Sequence, residues 1–139
     1  MISVPETFSI ALHALVLLAG KRGVYLSGKQ IAETYRFSAH HVAKVLAQLV
    51  RAGLLESQRG PSGGVCFTLR PQDVTLGMVR HVVEGRVVAR KGCLLPPDVC
   101  PGNRCVAGCF LSKMEREFRR VFQTTTLADV LRSAKKKGK

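Results

Sequence analysis

The sequence predicts a mainly α fold with one small β-hairpin, and three observations carry that expectation. Apolar residues recur at helical spacing through Val42, Val45, Leu46, Leu49 and Val50, and again through Phe110, Leu111, Met114, Phe118, Val121 and Phe122. Strand-like alternation is confined to one short run, in which Val65, Phe67 and Leu69 interleave with Cys66, Thr68 and Arg70. The length of 139 residues, 46% of them hydrophobic, fits one ordinary core with extensions.

Each element follows from local chemistry. Pro5 suits the first turn of a helix whose residues Phe8, Ile10 to Leu12 and Ala14 to Leu18 are apolar nearly all round, so that it must be covered, by a second subunit if not by its own chain. Lys21, Arg22 and Gly23 close it. A second helix is expected from about Gly28 to Tyr35, a break at Arg36-Phe37, and a third helix from the N-cap Ser38. Gly53 ends that helix. Leu54 to Ser57, the turn Arg59-Gly60-Pro61-Ser62-Gly63-Gly64 and the alternating run form a hairpin with a basic, glycine-rich tip. Thr75 caps a short helix from about Leu76 to Glu84. No periodicity follows until a long helix opens near Cys109, and Thr126 caps a last helix from Leu127 to Ser133, ahead of a lysine tail.

Two helices joined by a tight turn, followed by a two-stranded wing, describe a winged helix-turn-helix, with a long helix C-terminal to it. The expected organisation is a winged helix over residues 1–84, a cysteine-rich loop over 85–108, the dimerisation and C-terminal helices over 109–134, and a basic tail over 135–139. The apolar run from Ile10 to Ala19 is too short to span a bilayer and is preceded by Glu6, which leads to the expectation of a cytoplasmic protein with no membrane partner.

Charge then narrows the partners. The chain carries 22 Lys and Arg against 9 Asp and Glu, a formal +13 that favours a polyanion. Double-stranded DNA is the first candidate. The major groove admits a helix and shows a distinct donor and acceptor pattern for each base pair, so Ser38, His40, His41 and Lys44, at the start of the third helix, would face it. Arg59 at the wing tip has the guanidinium fork for phosphate or guanine, and Gly60, Gly63 and Gly64 would let backbone approach the minor groove. Histidines on an outward face are also common as plain solvated residues; the cap, the wing and the net charge favour DNA contact.

Four of the five cysteines, Cys93, Cys100, Cys105 and Cys109, fall in one 17-residue stretch. Six, four and three residues separate them, unlike the paired two-residue knuckles of common zinc sites. Irregular loop spacing suits an iron–sulfur cluster, with two irons or four, and Arg90, Lys91 and Arg104 would favour thiolates. Structural zinc and a regulatory thiol pair are the alternatives. Cys66, in the wing strand, reads as a small buried hydrophobe.

These residues resemble the Rrf-type winged-helix transcriptional regulators, the iron–sulfur family with IscR-like and NsrR-like members. The resemblance runs from about Phe8 to Leu131 and rests on the wing at 59–64, Val50-Arg51-Ala52-Gly53-Leu54-Leu55, the three cysteines at 93, 100 and 105, and Thr126-Leu127-Ala128-Asp129-Val130. It implies a homodimer, with the helix from about Cys109 to Phe122 as the dimerisation helix packing across subunits, a palindromic operator, and a cluster on Cys93, Cys100 and Cys105 that changes DNA affinity; the reading adopted is a repressor. The fourth ligand departs from the family: Ser9 stands where NsrR-like members supply an acidic residue, and Gly108 where IscR-like members place a histidine. Cys109 and His13 are the candidates left, and His13 also reads as a hydrogen-bonded core residue. Ala43 replaces the glutamate with which IscR-like members discriminate sites.

Two other classes stand beside this reading. A cluster-free regulator would use the cysteines for thiol redox, or respond to a small molecule or partner. An iron–sulfur electron carrier or a zinc-stabilised interaction module would need no DNA contact. The chain offers no phosphate loop and no nucleophile with an evident base, so an enzyme is not expected.

Overall fold

The computed structural model describes residues 4–85, 98–99 and 108–137. Six helices and one hairpin follow in the order α1 (Glu6–Gly20), α2 (Gly28–Tyr35), α3 (Ala39–Arg51), β1 (Glu56–Gln58), β2 (Gly64–Cys66), α4 (Leu76–Glu84), α5 (Gly108–Thr124) and α6 (Leu127–Lys137), with a 3-10 turn at Pro71–Asp73. No helix among the described residues is long and apolar enough to cross a membrane.

α1 is the central post. Phe8, Ile10, Ala11, Ala14, Leu15, Leu18 and Ala19 are buried, and α3, α4 and α6 of the same chain pack around it. Most of the all-round apolar pattern is therefore covered by the same chain, while Leu12, Val16 and Leu17 are half-buried. α3 buries Val42, Val45, Leu46 and Leu49 against this post, which leaves its polar face outward. Each fully buried leucine or valine contributes about 1.5–3 kcal/mol of transfer free energy before entropy is subtracted.

Caps set the ends. The Ser27 Oγ accepts from the Gln30 N–H at 3.1 Å while the Gln30 side chain accepts from the Ser27 N–H at 2.8 Å, a reciprocal capping box. Arg36 closes α2 in the left-handed region at φ 57°, and the Phe37 N–H donates to the Ala32 carbonyl at 3.0 Å. The Ser38 Oγ accepts from the His41 N–H at 3.5 Å, as expected of the N-cap, though at a long distance. Gly53, at φ 76°, ends α3.

The hairpin is shorter than the alternation suggested. β1 and β2 pair antiparallel in the register Glu56 with Cys66, Ser57 with Val65 and Gln58 with Gly64. Leu26 adds a bridge to Val65 from the other side, with N–H to carbonyl distances of 3.0 and 2.8 Å. Of the alternating residues Val65, Phe67 and Leu69, the first two are buried, and the strand itself ends at Cys66. Beyond it the chain turns Phe67 into the core beside buried Cys66, and Leu69 is left 36% exposed.

The C-terminal elements close the domain. The Leu76 N–H donates to the Thr125 carbonyl at 3.0 Å and the Leu127 N–H to Val74 at 2.8 Å, so the starts of α4 and α6 are clamped together. α6 runs to Lys137, past the expected Ser133, which makes Lys135, Lys136 and Lys137 helical residues and not a loose tail. α5 splits its apolar stripe: Leu111, Phe118 and Phe122 are half-buried, whereas Phe110, Met114 and Val121 are exposed.

Candidate nucleic-acid interface and histidine site

The helix-turn-helix geometry places the expected reading residues together. Ser38, His40, His41 and Lys44 are all exposed along the start of α3, on a helix whose opposite face is fixed in the core. The His40 and His41 rings lie 6.2 Å apart. Neutral histidine and serine can each donate or accept, and Lys44 can only donate, which gives this face a mixed hydrogen-bonding repertoire. The sequence could not show that His41 also faces α1: its Nδ1 lies 3.8 Å from the Glu6 carboxylate. The pair spans a groove of about 480 Å³ lined by Ile10, Lys44, Val45, Gln48, Arg51 and Val83, among others. Arg51, at the last turn of α3, extends the basic edge begun by Lys44.

The wing carries Arg59 and Gly60, both exposed at the tip. Its glycines divide into two kinds. A Cβ on Gly60 would meet nothing within 4 Å, so the backbone there is open to a partner. At Gly63 a Cβ would sit 2.2 Å from the Gln58 carbonyl oxygen, and at Gly64 2.2 Å from the Leu26 carbonyl oxygen. Those two glycines are therefore required by the chain's own backbone.

Of the expected metal residues, Cys93, Cys100 and Cys105 lie outside the described residues. Cys109 stands in the first turn of α5. His13 is not the core histidine that its neighbours suggested: it is exposed in the middle of α1, because that side of the helix faces the helix-turn-helix turn and not the core. Its Nδ1 lies 2.7 Å from the Ser9 carbonyl oxygen, with the Ser9 Oγ at 3.4 Å. A ring nitrogen that close to a carbonyl is the N–H donor, which puts the lone pair of the neutral ring on Nε2. The rings of Tyr35 and Phe37 stand edge-on to it at 5.0 and 5.9 Å. Neither aromatic was singled out from the sequence; two rings flanking a non-glycine helix break were the signal available. Burial pushes the Tyr35 hydroxyl pKa up. Among the described residues no three histidine, cysteine or carboxylate side chains converge as a metal group.

Comparison with known proteins places this geometry. Residues 4–133 match Rrf2, described as an iron-dependent transcriptional regulator. The chain is 41% identical over 75 residues to the HTH-type transcriptional regulator NsrR of Bacillus subtilis, an alignment covering 53% of this chain and 51% of that protein. The matched stretch thus spans about half the length of that relative. Among solved structures, CymR (YrzC), the global cysteine regulator of B. subtilis, superposes with a TM-score of 0.77 at 27% identity, covering 96% of this chain and 98% of that one. IscR of T. potens superposes with a TM-score of 0.73 at 26% identity, covering 96% and 88%. A family match over nearly the whole chain, on a helix-turn-helix and wing of this form, means that the chain belongs to the Rrf2 family of iron-dependent transcriptional regulators.

Proposed function

We propose that the chain is a cytoplasmic, homodimeric, DNA-binding transcriptional regulator, a repressor of a palindromic operator, whose binding is modulated by an iron–sulfur cluster. The observation that carries the DNA reading is the exposed face Ser38, His40, His41 and Lys44 on a capped helix anchored in the core, beside a wing that presents Arg59 and Gly60. Lys44 and Arg59 neutralise phosphates and fix the register, while the serine and histidines read base edges. The exposed Phe110, Met114 and Val121 on α5 supply the apolar surface that a second copy would cover.

For the cluster, Cys93, Cys100 and Cys105 are the proposed thiolate ligands, completed by Cys109 or His13. The donor chemistry fits: His13 is exposed, and its Nδ1 is occupied by the Ser9 carbonyl, which leaves Nε2 as the coordinating atom in the arrangement typical of metal-bound imidazoles. When bound, the cluster supplies an iron centre responsive to iron supply, redox state or nitric oxide.

Anaerobic purification with iron and sulfide analysis tests the cluster, and colourless, iron-free protein under those conditions overturns it. Titration of a palindromic promoter fragment tests the DNA reading. Lys44→Ala and Arg59→Ala should each weaken binding and lower the salt slope by about one. Salt-independent or absent binding rules a regulator out.

The likeness to a cysteine regulator favours one second reading, a cluster-free regulator in which the cysteines respond by thiol redox. It predicts that metal-free protein changes operator affinity on treatment with diamide and recovers with dithiothreitol.

A further inference from the structure

The groove beside the recognition helix lies where α1, α3 and α4 of the one chain meet, and its volume of about 480 Å³ falls in the range of small-ligand pockets. Its floor is aliphatic. Ile10, Val45 and Val83, one from each helix, are core residues that also line it. Its wall on α3 is polar and cationic: Lys44, Gln48 and Arg51 stand at i, i+4 and i+7, a row about 10 Å long on one edge of the helix. Neither Lys44 nor Arg51 has an ion-pair partner among the described residues. The Arg51 Nε donates to the Ala47 carbonyl at 3.4 Å, which lays the guanidinium back along the helix and leaves both terminal amino groups to a ligand. The one carboxylate of the groove, Glu6, stands beside His41 at 3.8 Å, almost three turns of helix before Arg51.

We propose that this groove binds an organic monocarboxylate with a medium-length aliphatic chain, its carboxylate on Arg51 and Lys44 and its chain on Ile10, Val45 and Val83, and that such an acid and DNA exclude one another. A guanidinium fork takes a planar carboxylate through two parallel hydrogen bonds, and the aliphatic floor rewards a chain that acetate or free phosphate lacks. An alkylammonium meets the same floor with the wrong charge. Exclusion follows because Lys44 belongs to the face proposed to hold phosphate, and an ammonium engaged by a carboxylate in the groove is withdrawn from the duplex. That half of the proposal rests on the DNA-binding reading; the ligand site does not.

Octanoate is the probe, with acetate and octylammonium as controls, each titrated into the full chain at constant ionic strength while the methyl signals of Ile10, Val45 and Val83 are followed by NMR. Octanoate should shift those methyls to saturation with a Kd of about 1 mM or tighter, and neither control should. Arg51 is exposed at the end of α3, so its removal spares the core. Arg51→Ala should weaken octanoate by about fivefold or more, with Arg51→Lys in between. The site is overturned by the absence of a saturable shift up to about 10 mM, by equal shifts with octylammonium, by shifts centred on Met114 and Val121 of α5, or by an Arg51→Ala variant that binds as wild type does. A second titration measures binding of a promoter duplex with and without octanoate at matched ionic strength. At about ten times its Kd, octanoate should weaken duplex binding about tenfold in wild type and clearly less in Arg51→Ala. Unchanged duplex affinity at saturating octanoate overturns the exclusion alone. A wild type that binds no duplex overturns the DNA-binding reading and the exclusion with it, and the methyl shifts decide the site.

Discussion

Arg80 donates from Nε to the Glu84 carboxylate at 2.9 Å across one turn of α4, and this is the most buried ion pair among the described residues. The same guanidinium lies 5.1 Å from the ring centre of Phe118 and 5.5 Å from that of Phe122. One side chain thereby holds α4 to α5, by charge on one side and by cation–π contact on the other. The second Glu84 oxygen, Oε1, is buried without a hydrogen-bond partner.

Removal of Arg80 would strand that carboxylate. Arg80→Ala is expected to destabilise the fold by about 2 kcal/mol, less than for a fully buried pair because water still reaches both groups. Arg80→Ala combined with Glu84→Gln should recover part of the loss, since no uncompensated charge remains. Chemical denaturation of wild type, Arg80→Ala, Glu84→Gln and the double variant measures this, and additive losses would show that the pair is not coupled.

The two kinds of wing glycine should separate on substitution. Gly64→Ala drives a Cβ into the Leu26 carbonyl at a backbone φ of 141°, and should cost more than about 2 kcal/mol and detach the Leu26 bridge. Gly60→Ala meets only the backbone strain of its φ of 107°, roughly 1 kcal/mol, with the hairpin intact. Thermal melts rank the pair, and amide exchange at Val65 reports the bridge.

Capping serines should divide between stability and recognition. Ser27→Ala removes a short reciprocal box and should cost about 1 kcal/mol with little effect on DNA affinity. Ser38→Ala breaks a 3.5 Å contact, so its stability cost should sit near the low end of about 0.5 kcal/mol while operator affinity falls clearly. Equal effects of both variants on DNA would remove Ser38 from the reading face.

Asp129 supplies an acid limb. Hydrogen bonds from the Thr126 N–H at 2.8 Å and the Thr126 hydroxyl at 2.7 Å, with Arg132 alongside, hold its carboxyl down to about 2. A carboxyl with a depressed folded-state pKa contributes stability that is complete above its unfolded value and lost as pH falls through the folded one. Wild type should therefore lose stability between about pH 4 and pH 2 more steeply than Asp129→Asn, measured as denaturation midpoint against pH. Parallel curves would assign that limb to other carboxylates.

The elements were legible in the sequence wherever chemistry is local. The Ser38 cap, the apolar spacing from Val42 to Leu49, the Thr75 cap and the bounds of α2 and α4 follow from neighbours three or four residues apart, and the structure keeps them. The exposed set Ser38, His40, His41, Lys44, Arg59 and Gly60 was legible for the same reason, because a helix or hairpin with one buried face must expose the other. What escaped depends on segments far apart in the chain. How much of α1 its own chain covers depended on where α3, α4 and α6 pack. That Gly63 and Gly64 are required within the chain shows only in the Gln58 and Leu26 carbonyl oxygens, which would lie 2.2 Å from a Cβ there. His13 looked like a core residue because its neighbours in sequence are apolar, yet the turn at Tyr35 and Phe37 leaves it exposed between rings. The sequence by itself determined the helices, the wing and the exposed polar face of α3, since periodicity and capping act within a few residues. Tertiary structure alone decided the partners of Glu6, His13, Arg80 and the wing glycines, since those contacts exist only once distant segments are folded together.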